Sequence, residues 1–326
     1  MIISRTPYRI SFFGGGTDYP GWYLQHGGQV LATTIDKYVY ISCRSLPPFF
    51  KHKLRVVYSR IELCTHVDEL EHPTARESLK YAGTTDGLEI HYDGDLPGRS
   101  GMGSSSAFTV GLLNALYAYS GRKTSAIELA RDSTYVEQQL VKETVGSQDQ
   151  VSVACGGFNK ICFGVDGGVQ VENISMPGNM IDRLSTNLML FYTGIERTAS
   201  DIAMTYAGSL LEKGKMLKKM GRMVDEGVQL LSEDGDLDGF GELLHEAWVQ
   251  KSLLSPMISN STIDDIYSVA KRAGALGGKI LGAGGGGMLL LYVPLDRQEP
   301  VAQALSELIH VSFNFETGGS QIIFQS

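Results

Sequence analysis

The sequence lacks the features that mark several common protein classes. Its four cysteines form no C-x-x-C pair and have no histidine-rich companion spacing, so we expect neither a zinc site nor a disulfide scaffold. No run approaches the ~18 consecutive apolar residues of a membrane span. The net charge is −8, which argues against a nucleic-acid partner and against an anionic membrane surface.

Two further absences concern targeting and nucleotide binding. Residues 1–12 carry no apolar stretch typical of a signal peptide, so we expect a cytoplasmic protein. None of the glycine clusters ends in Gly-Lys-Ser/Thr, so the sequence contains no Walker P-loop. With 326 residues, the chain is long enough for one large domain or two ordinary ones.

Hydrophobic patterns predict strands and helices interleaved along the chain, which indicates an α+β or α/β protein. Strands are expected at Ile2–Ile3 and Arg9–Phe13, on either side of Pro7. Helices are expected at Ser105–Tyr119 and Ser125–Val141, and the second carries a capping-box signature. The second half is more helical. We place a domain boundary in the Pro/Gly/Asn-containing stretch near residue 180, which gives domains 1–180 and 181–326.

The most informative segment is Pro97–Ala107, which reads Pro-Gly-Arg-Ser-Gly-Met-Gly-Ser-Ser-Ser-Ala and runs directly into the apolar helix. Its glycines let the backbone curl around a ligand and direct several N–H groups at it. Its serines stand where the helix begins, where their hydroxyls can cap it and where the positive end of the helix dipole favours an anion. We interpret the segment as a phosphate cradle. The alternative is a flexible linker.

A second glycine cluster, Gly14–Gly16, follows the apolar segment Arg9–Phe13 and leads into Asp18. Successive glycines allow a ligand to approach the backbone closely. A carboxylate can accept two hydrogen bonds from vicinal hydroxyls, so Asp18 is a candidate sugar ligand. The alternative is a tight turn in which Asp18 bonds its own backbone.

A third cluster, Gly282–Gly287, follows Lys279 and precedes the strand-like run Met288–Leu291. It contains a G-x-G-x-x-G match. The Rossmann fingerprint opens a helix, whereas here a strand follows, so a dinucleotide site is not indicated. Close approach of a ligand or of backbone explains the glycines better than a bulged turn does.

Two carboxylates complete the pattern, Glu137 on a predicted helix and Asp149 just after a break at Gly146. In phosphoryl transfer, one carboxylate can ligate Mg²⁺ while another accepts or orients the proton of the acceptor hydroxyl. The alternative is a solvated helix glutamate and a helix-capping aspartate.

In this order, the four elements resemble the GHMP small-molecule kinases over nearly the whole chain. Pro97–Ala107 is similar to the family's Pro-x-x-x-Gly-Leu-Gly-Ser-Ser-x-Ala phosphate loop, with Met102 in place of leucine. Lys279–Met288 is similar to its C-terminal glycine-rich motif, and Arg5–Pro20 to the N-terminal motif of its sugar kinases. The resemblance implies an α+β, two-lobed GHMP kinase fold. Its N-terminal lobe would resemble ribosomal protein S5 domain 2, and its C-terminal lobe would be ferredoxin-like.

The resemblance implies ATP and Mg²⁺ as cofactors, and it implies a role for each matching residue. Asp149 corresponds to the catalytic aspartate, and Arg9 to the arginine that holds this aspartate ionised. Glu137 and Ser105 correspond to Mg²⁺ ligands. The expected ATP contacts are Pro97, Gly98, Gly101, Gly103, Ser104, Ser105 and Ser106. The expected substrate contacts are Gly15, Gly16, Thr17, Asp18, Arg197, Thr198, Gly284 and Gly285.

The N-terminal motif is most similar to that of kinases acting on D-glycero-D-manno-heptose 7-phosphate, which phosphorylate the anomeric O1 for nucleotide-activated heptose and bacterial surface polysaccharides. Galactokinases carry Glu and His where this chain has Gly15 and Gly16, which puts galactose in doubt and leaves room for a larger sugar. The alternatives are a kinase for another sugar, such as L-fucose, or a non-catalytic regulator that binds sugar and ATP. A homodimer is left open.

A sugar phosphate substrate needs a second anion site. Arg197 and Thr198, with Ser200 at the start of a predicted helix, form one candidate. The basic cluster Lys51–Arg55 and the pair Arg76 and Lys80 are others. A solvated loop and a surface helix, respectively, are the alternatives for these two.

Overall fold

The computed structural model describes residues 1–85, 87–196, 199–232 and 235–326. Within these residues the strands and helices are interleaved, as the α+β prediction requires. The strands are β1 Ile2–Phe13, β2 Gly28–Ser45, β3 Leu54–Val57, β4 Ile61–Cys64, β5 Leu88–Gly94, β6 Asn159–Phe163, β7 Val169–Asn173, β8 Leu188–Tyr192, β9 Gly277–Ile280, β10 Met288–Tyr292, β11 Ile309–His310, β12 Phe315–Glu316 and β13 Gln321–Gln325.

Helices occur in both halves of the chain, and the second half holds somewhat more helix, as the hydrophobic periodicity predicts. They are α1 Pro20–His26, α2 Pro73–Ala82, α3 Ser104–Tyr119, α4 Ala126–Tyr135, α5 Gln148–Cys155, α6 Met180–Thr186, α7 Ala199–Ala207, α8 Gly214–Leu230, α9 Leu237–Ser252, α10 Ser261–Ala273 and α11 Gln298–Ala304. Five residues in π-helical geometry, Val136–Leu140, continue α4.

The larger sheet has the strand order β13-β1-β2-β5-β3-β4, and β12 and β6 also pair with β2. β1 is a single strand, whereas the sequence predicts two segments around Pro7. The register with β2 shifts between Pro7 and Tyr8, and such an irregularity accommodates a residue without an N–H donor. β1 therefore reaches uninterrupted from the N-terminus to the Gly14–Gly16 turn.

Helix α3 is buried along most of its length, since residues 106–117 are all buried. It packs against β1 and β2. A helix that is apolar on all sides belongs inside a protein rather than on its surface. The phosphate-loop segment is consequently anchored to the most buried helix of the larger core.

The smaller sheet is antiparallel, with the order β11-β8-β10-β9. Helix α9 packs against β9 and β10 of this sheet and also against β1 of the larger one. The C-terminal strands β12 and β13 return to the larger sheet. The domain boundary at residue 180 remains a prediction. Strands β12 and β13, which follow this boundary in the sequence, pair with β2 and β1, which precede it. Among the described residues, no helix combines the length and apolarity needed to cross a bilayer.

Candidate active site

A cavity of about 290 Å³ lies where three glycine-containing segments meet. Direct hydrogen bonds hold these segments together. The N–H of Arg9 in β1 donates to the carbonyl of Met102 at 3.0 Å, and the N–H of Ser147 donates to that of Asp18 at 2.9 Å. The N–H of Met288, just after the third cluster, donates to the carbonyl of Ser100 at 2.9 Å. Segments far apart in the sequence thus form one cleft.

Most of the predicted site residues lie on the cavity wall. The predicted residues that line the cavity are Arg9, Gly15, Gly16, Asp18, Gly101, Gly103, Ser104, Ser105, Ser106 and Asp149. Six others do not line it, namely Pro97, Gly98, Thr17, Glu137, Gly284 and Gly285. Arg197 and Thr198 lie outside the described residues.

Arg9 and Asp149 form a two-pronged ion pair. Nε of Arg9 donates to Oδ1 of Asp149 at 2.8 Å, and its terminal nitrogen Nη2 donates to Oδ2 at 2.7 Å. A third hydrogen bond, from Nη1 of Arg9 to the carbonyl of Gly101, ties the pair to the phosphate loop at 2.7 Å. The Arg9 side chain is 2% exposed and that of Asp149 is 25% exposed. The carboxylate is therefore fixed in orientation yet still accessible from the cavity.

Asp18 also lines the cavity and is buried. Its Oδ1 accepts from the N–H of Gly16 at 2.8 Å, and its Oδ2 accepts from that of Gln148 at 3.3 Å. Burial raises the pKa of this carboxyl, and the backbone donors oppose that rise. The tight-turn alternative is confirmed, because Asp18 accepts a hydrogen bond from its local backbone. Asp18 also lines the cavity, and its role as a sugar ligand stays a prediction.

Gly146 allows this close packing. A Cβ built on Gly146 would lie 2.6 Å from Cγ of Asp18 and still closer to one carboxylate oxygen. Any other residue at this position would push the carboxylate away. The break that the sequence shows at Gly146 is thus a site of close approach between the residue 143–147 loop and Asp18.

The start of α3 differs in one respect from the prediction. The N-cap is Gly103, with φ of 77°, and no side chain caps the helix, so the prediction that serine hydroxyls cap it is wrong. Glycine adopts this left-handed conformation without steric cost. The hydroxyl of Ser106 instead donates to Oε2 of Glu137 at 3.1 Å, while Ser104 and Ser105 line the cavity. Ser105, which the resemblance implies as a Mg²⁺ ligand together with Glu137, is exposed.

Glu137 stands in the π-helical turn behind the loop and is fully buried. Gln150 donates to its Oε2 at 2.5 Å, while its Oε1 has no hydrogen-bond partner among the described residues. Burial raises the pKa of Glu137 to about 7. A buried carboxylate oxygen without a hydrogen-bond partner, on a carboxylate that also contacts the Ser106 hydroxyl, suits Mg²⁺, which takes few protein ligands when phosphates supply the rest. The described residues contain no group of three or more His, Cys, Asp or Glu side chains arranged so that they could hold a metal ion.

The third glycine cluster touches the cavity only at its start. Gly282 and Ala283 line the cavity. Gly284 packs against Ile258, and the N–H of Gly285 donates to the Ile258 carbonyl at 2.7 Å. The predicted substrate contacts of Gly284 and Gly285 therefore find no support in the geometry. Close approach of backbone explains these glycines.

Other predicted contacts are likewise structural. The hydroxyl of Thr17 lies 2.8 Å from the carbonyl oxygens of both Gly14 and Gln29, so it holds the turn together and is not available to a ligand. Arg76 donates to Glu77 and to the carbonyl of Leu70, and Lys80 pairs with Asp68. Neither this pair nor the residue 51–55 cluster lines the cavity.

Sequence reasoning missed three contributors to the site. Gln148 accepts from Ser11 at 2.7 Å and lines the cavity. Gln150 donates a hydrogen bond from Nε2 to Oε2 of Glu137. Lys279 lines the cavity although it lies in an otherwise apolar strand. A lysine between apolar residues ahead of a glycine cluster was a signal that could have drawn attention to it.

Comparison with known proteins agrees with this geometry. Residues 70–157 match the model of the GHMP kinases N terminal domain, and residues 228–310 match that of the GHMP kinases C terminal domain. The chain belongs to the GHMP kinase family, and it is an ATP-dependent phosphotransferase. Its two-lobed α+β fold is that of the family, as predicted.

Three similar proteins, one curated relative and two solved structures, match the chain over most of its length. The D-glycero-alpha-D-manno-heptose 7-phosphate kinase of Campylobacter jejuni is 25% identical over 93% of each chain. The crystal structure of a D-glycero-D-manno-heptose 1-phosphate kinase from Bacteroides thetaiotaomicron matches with a TM-score of 0.81 at 22% identity, and covers 100% of both chains. Lactococcus lactis galactokinase in complex with galactose matches with a TM-score of 0.73 at 17% identity, over 98% of this chain and 94% of that one.

Proposed function

We propose that this kinase transfers the γ-phosphoryl group of ATP to the anomeric O1 of D-glycero-D-manno-heptose 7-phosphate, giving the 1,7-bisphosphate. The product would enter the synthesis of nucleotide-activated heptose for bacterial surface polysaccharides. The observation that carries the proposal is that Asp149, gripped by Arg9, shares one cavity with Asp18 and the phosphate loop. In the proposed reaction, Asp149 faces the reaction centre and Asp18 binds sugar hydroxyls.

The choice of heptose is supported by two observations. The Campylobacter jejuni heptose 7-phosphate kinase aligns over almost its full length. Gly15 and Gly16 both line the cavity and carry no side chains, so this wall leaves room for a sugar longer than a hexose. The Bacteroides thetaiotaomicron protein is named a heptose 1-phosphate kinase. The test must therefore identify which hydroxyl of the heptose is phosphorylated.

The proposed transfer is direct and in line. The acceptor hydroxyl loses its proton to Asp149 while its oxygen bonds to the γ-phosphorus and the bond to ADP breaks. Arg9 keeps the Asp149 carboxylate oriented and adds positive charge beside the transferring group. The N–H groups of Gly101–Ser106 cradle the polyphosphate. Glu137 and Ser105 would hold Mg²⁺, with Ser106 positioning Glu137, and the bound ion would neutralise charge on the β- and γ-oxygens.

A substrate panel tests the proposal. The purified chain is incubated with MgATP and, separately, with heptose 7-phosphate, heptose 1-phosphate, unphosphorylated heptose, L-fucose or galactose, and ADP release is followed. Phosphorus NMR of the product then identifies the hydroxyl that was phosphorylated. We expect the highest kcat/KM with heptose 7-phosphate and a new anomeric phosphate.

Two outcomes would contradict the proposal. A higher kcat/KM with L-fucose, galactose or heptose 1-phosphate would assign another acceptor. ADP release without consumption of any acceptor would favour an ATPase or a sugar-binding regulator. The matched variant Asp149→Asn keeps the size of the side chain but cannot take up the proton. It should lose at least about 10³-fold in kcat while retaining ATP affinity. A cytoplasmic location and a homodimer also remain proposals.

A further inference from the structure

Lys279 is a buried cation that the proposed mechanism does not use. It lies in β9 of the smaller sheet, is 5% exposed, and lines the cavity together with Arg9 and Asp18. Its Nζ donates to the carbonyl oxygen of Phe12, at the end of β1, at 2.8 Å. An ammonium group has three protons to donate. Among the described residues, the other two have no acceptor.

No carboxylate that lines the cavity forms an ion pair with Lys279 among the described residues. Asp149 is engaged by Arg9, and the oxygens of Asp18 accept from the backbone. Within the described part of the chain, Lys279 takes part in no ion pair. Burial, and then the positive charge of Arg9, lower the pKa of Lys279 to about 7, although Asp18 acts in the opposite sense. A buried ammonium without a counter-charge is costly unless a ligand supplies one.

We propose that Lys279 binds a phosphoryl oxyanion inside the cavity, supplied either by the γ-phosphate of ATP or by a phosphate carried on the acceptor. The inference rests on the proposed function, which brings both anions into this cavity. The location fits the chemistry, because Lys279 shares the cavity with the phosphate loop, Arg9 and Asp18. A lysine that merely tied β9 to β1 would have no need to line the cavity.

The test compares two lysine-to-methionine variants. Lys279→Met removes the charge and keeps the length of an apolar side chain. Lys271→Met is the control, because Lys271 also donates to a backbone carbonyl, that of Leu276 at 2.7 Å, but does not line the cavity. Thermal unfolding of both variants establishes that they are folded. Steady-state kinetics are measured with heptose 7-phosphate and with unphosphorylated heptose.

We expect Lys279→Met to lose at least about 100-fold in kcat/KM, and Lys271→Met to lose less than about twofold. An equal fall in kcat for both acceptors would assign the contact to the γ-phosphate. A rise in KM confined to heptose 7-phosphate would assign it to the acceptor's phosphate. Kinetic constants for Lys279→Met within about twofold of wild type on both acceptors would overturn the proposal.

A second measurement does not depend on turnover. The ¹³Cε resonance of Lys279 in ¹³C-lysine-labelled protein, assigned by its loss in Lys279→Met, is titrated with pH. The titration is run without ligand, with a non-hydrolysable ATP analogue and with heptose 7-phosphate. We expect the pKa to rise well above 7 with at least one ligand, and an unchanged pKa with both would refute the inference. If wild type phosphorylates no acceptor, the proposed function fails while this titration still decides the role of Lys279.

Discussion

The sharpest prediction concerns Gly146, whose lack of a side chain lets Asp18 occupy its position at the cavity wall. In Gly146→Ala, the new Cβ would start 2.6 Å from Cγ of Asp18. Carbon atoms pack at roughly 3.5–4.0 Å, so the carboxylate must retreat by about 1 Å or more. The backbone of Gly146 is not in the left-handed region, so the perturbation is confined to this contact.

The retreat weakens the hydrogen bonds that hold Asp18. Its oxygens accept from the N–H groups of Gly16 at 2.8 Å and Gln148 at 3.3 Å, and hydrogen bonds to a charged group contribute about 1.5–3 kcal/mol each. Displacing a group that positions substrate by 1 Å can cost about 10²-fold in rate. We therefore expect kcat/KM for the sugar to fall by about 10²-fold while the affinity for ATP stays unchanged.

The assay combines ADP release over a range of acceptor concentrations with calorimetric titration of a non-hydrolysable ATP analogue. Gly21→Ala is the matched control, since a Cβ there meets no atom within 4 Å, and it should leave all constants within about twofold of wild type. A Gly146→Ala variant that binds and turns over sugar normally would refute the role of Asp18 in acceptor binding. Loss of ATP affinity in the variant would instead indicate a disrupted phosphate loop.

Three further predictions concern the charged groups and serines of the site. Glu137 has a pKa of about 7 in the folded chain and 4.5 as its ordinary value. Protonated Glu137 should therefore contribute roughly 3 kcal/mol to the free energy of unfolding below pH 4.5. This contribution should be lost as pH rises through 7. In Mg²⁺-free urea unfolding at pH 4.5 and pH 8, Glu137→Gln should lack this loss, and an identical pH dependence in both proteins would contradict the assignment. Ser105→Ala should raise the Mg²⁺ concentration for half-maximal activity about 10-fold and leave stability unchanged. Ser106→Ala should lower the free energy of unfolding by about 1 kcal/mol. The opposite result for the two variants would exchange the roles of these serines. Arg9→Lys cannot reproduce the two-pronged pair with Asp149 and should lose at least about 10²-fold in kcat, so near-normal turnover would argue against that pair as a catalytic unit.

Local sequence patterns predicted much of the fold because they report local physics. The capping box at Ser125 and Glu128 forms as expected, with hydrogen bonds in both directions. Gly83 ends α2 in the left-handed conformation, as glycine commonly does at the end of a helix. Each of these features depends on atoms within a few residues along the chain, so neighbouring residues suffice to specify it.

Patterns failed where packing overrides local preference. Pro7 was expected to divide the first strand, but a register shift against β2 absorbs it. The serines were expected to cap α3, but Gly103 takes that position. At Pro7 the deciding partner is a strand distant in sequence, which local propensity does not take into account. At Gly103 a Cβ would lie 3.1 Å from Cγ of Arg9, a residue that is also distant in sequence.

The sequence by itself determined that three glycine-rich segments and two acidic residues occur in an order typical of one kinase family, because composition and spacing are properties of the linear chain. Only the tertiary structure decided that Ser106 contacts Glu137 and that Gly146 makes room for Asp18. It alone also placed Lys279 against Phe12, 267 positions away. Contacts between distant segments follow from how sheets and helices pack, and the pattern within any one segment does not encode that packing.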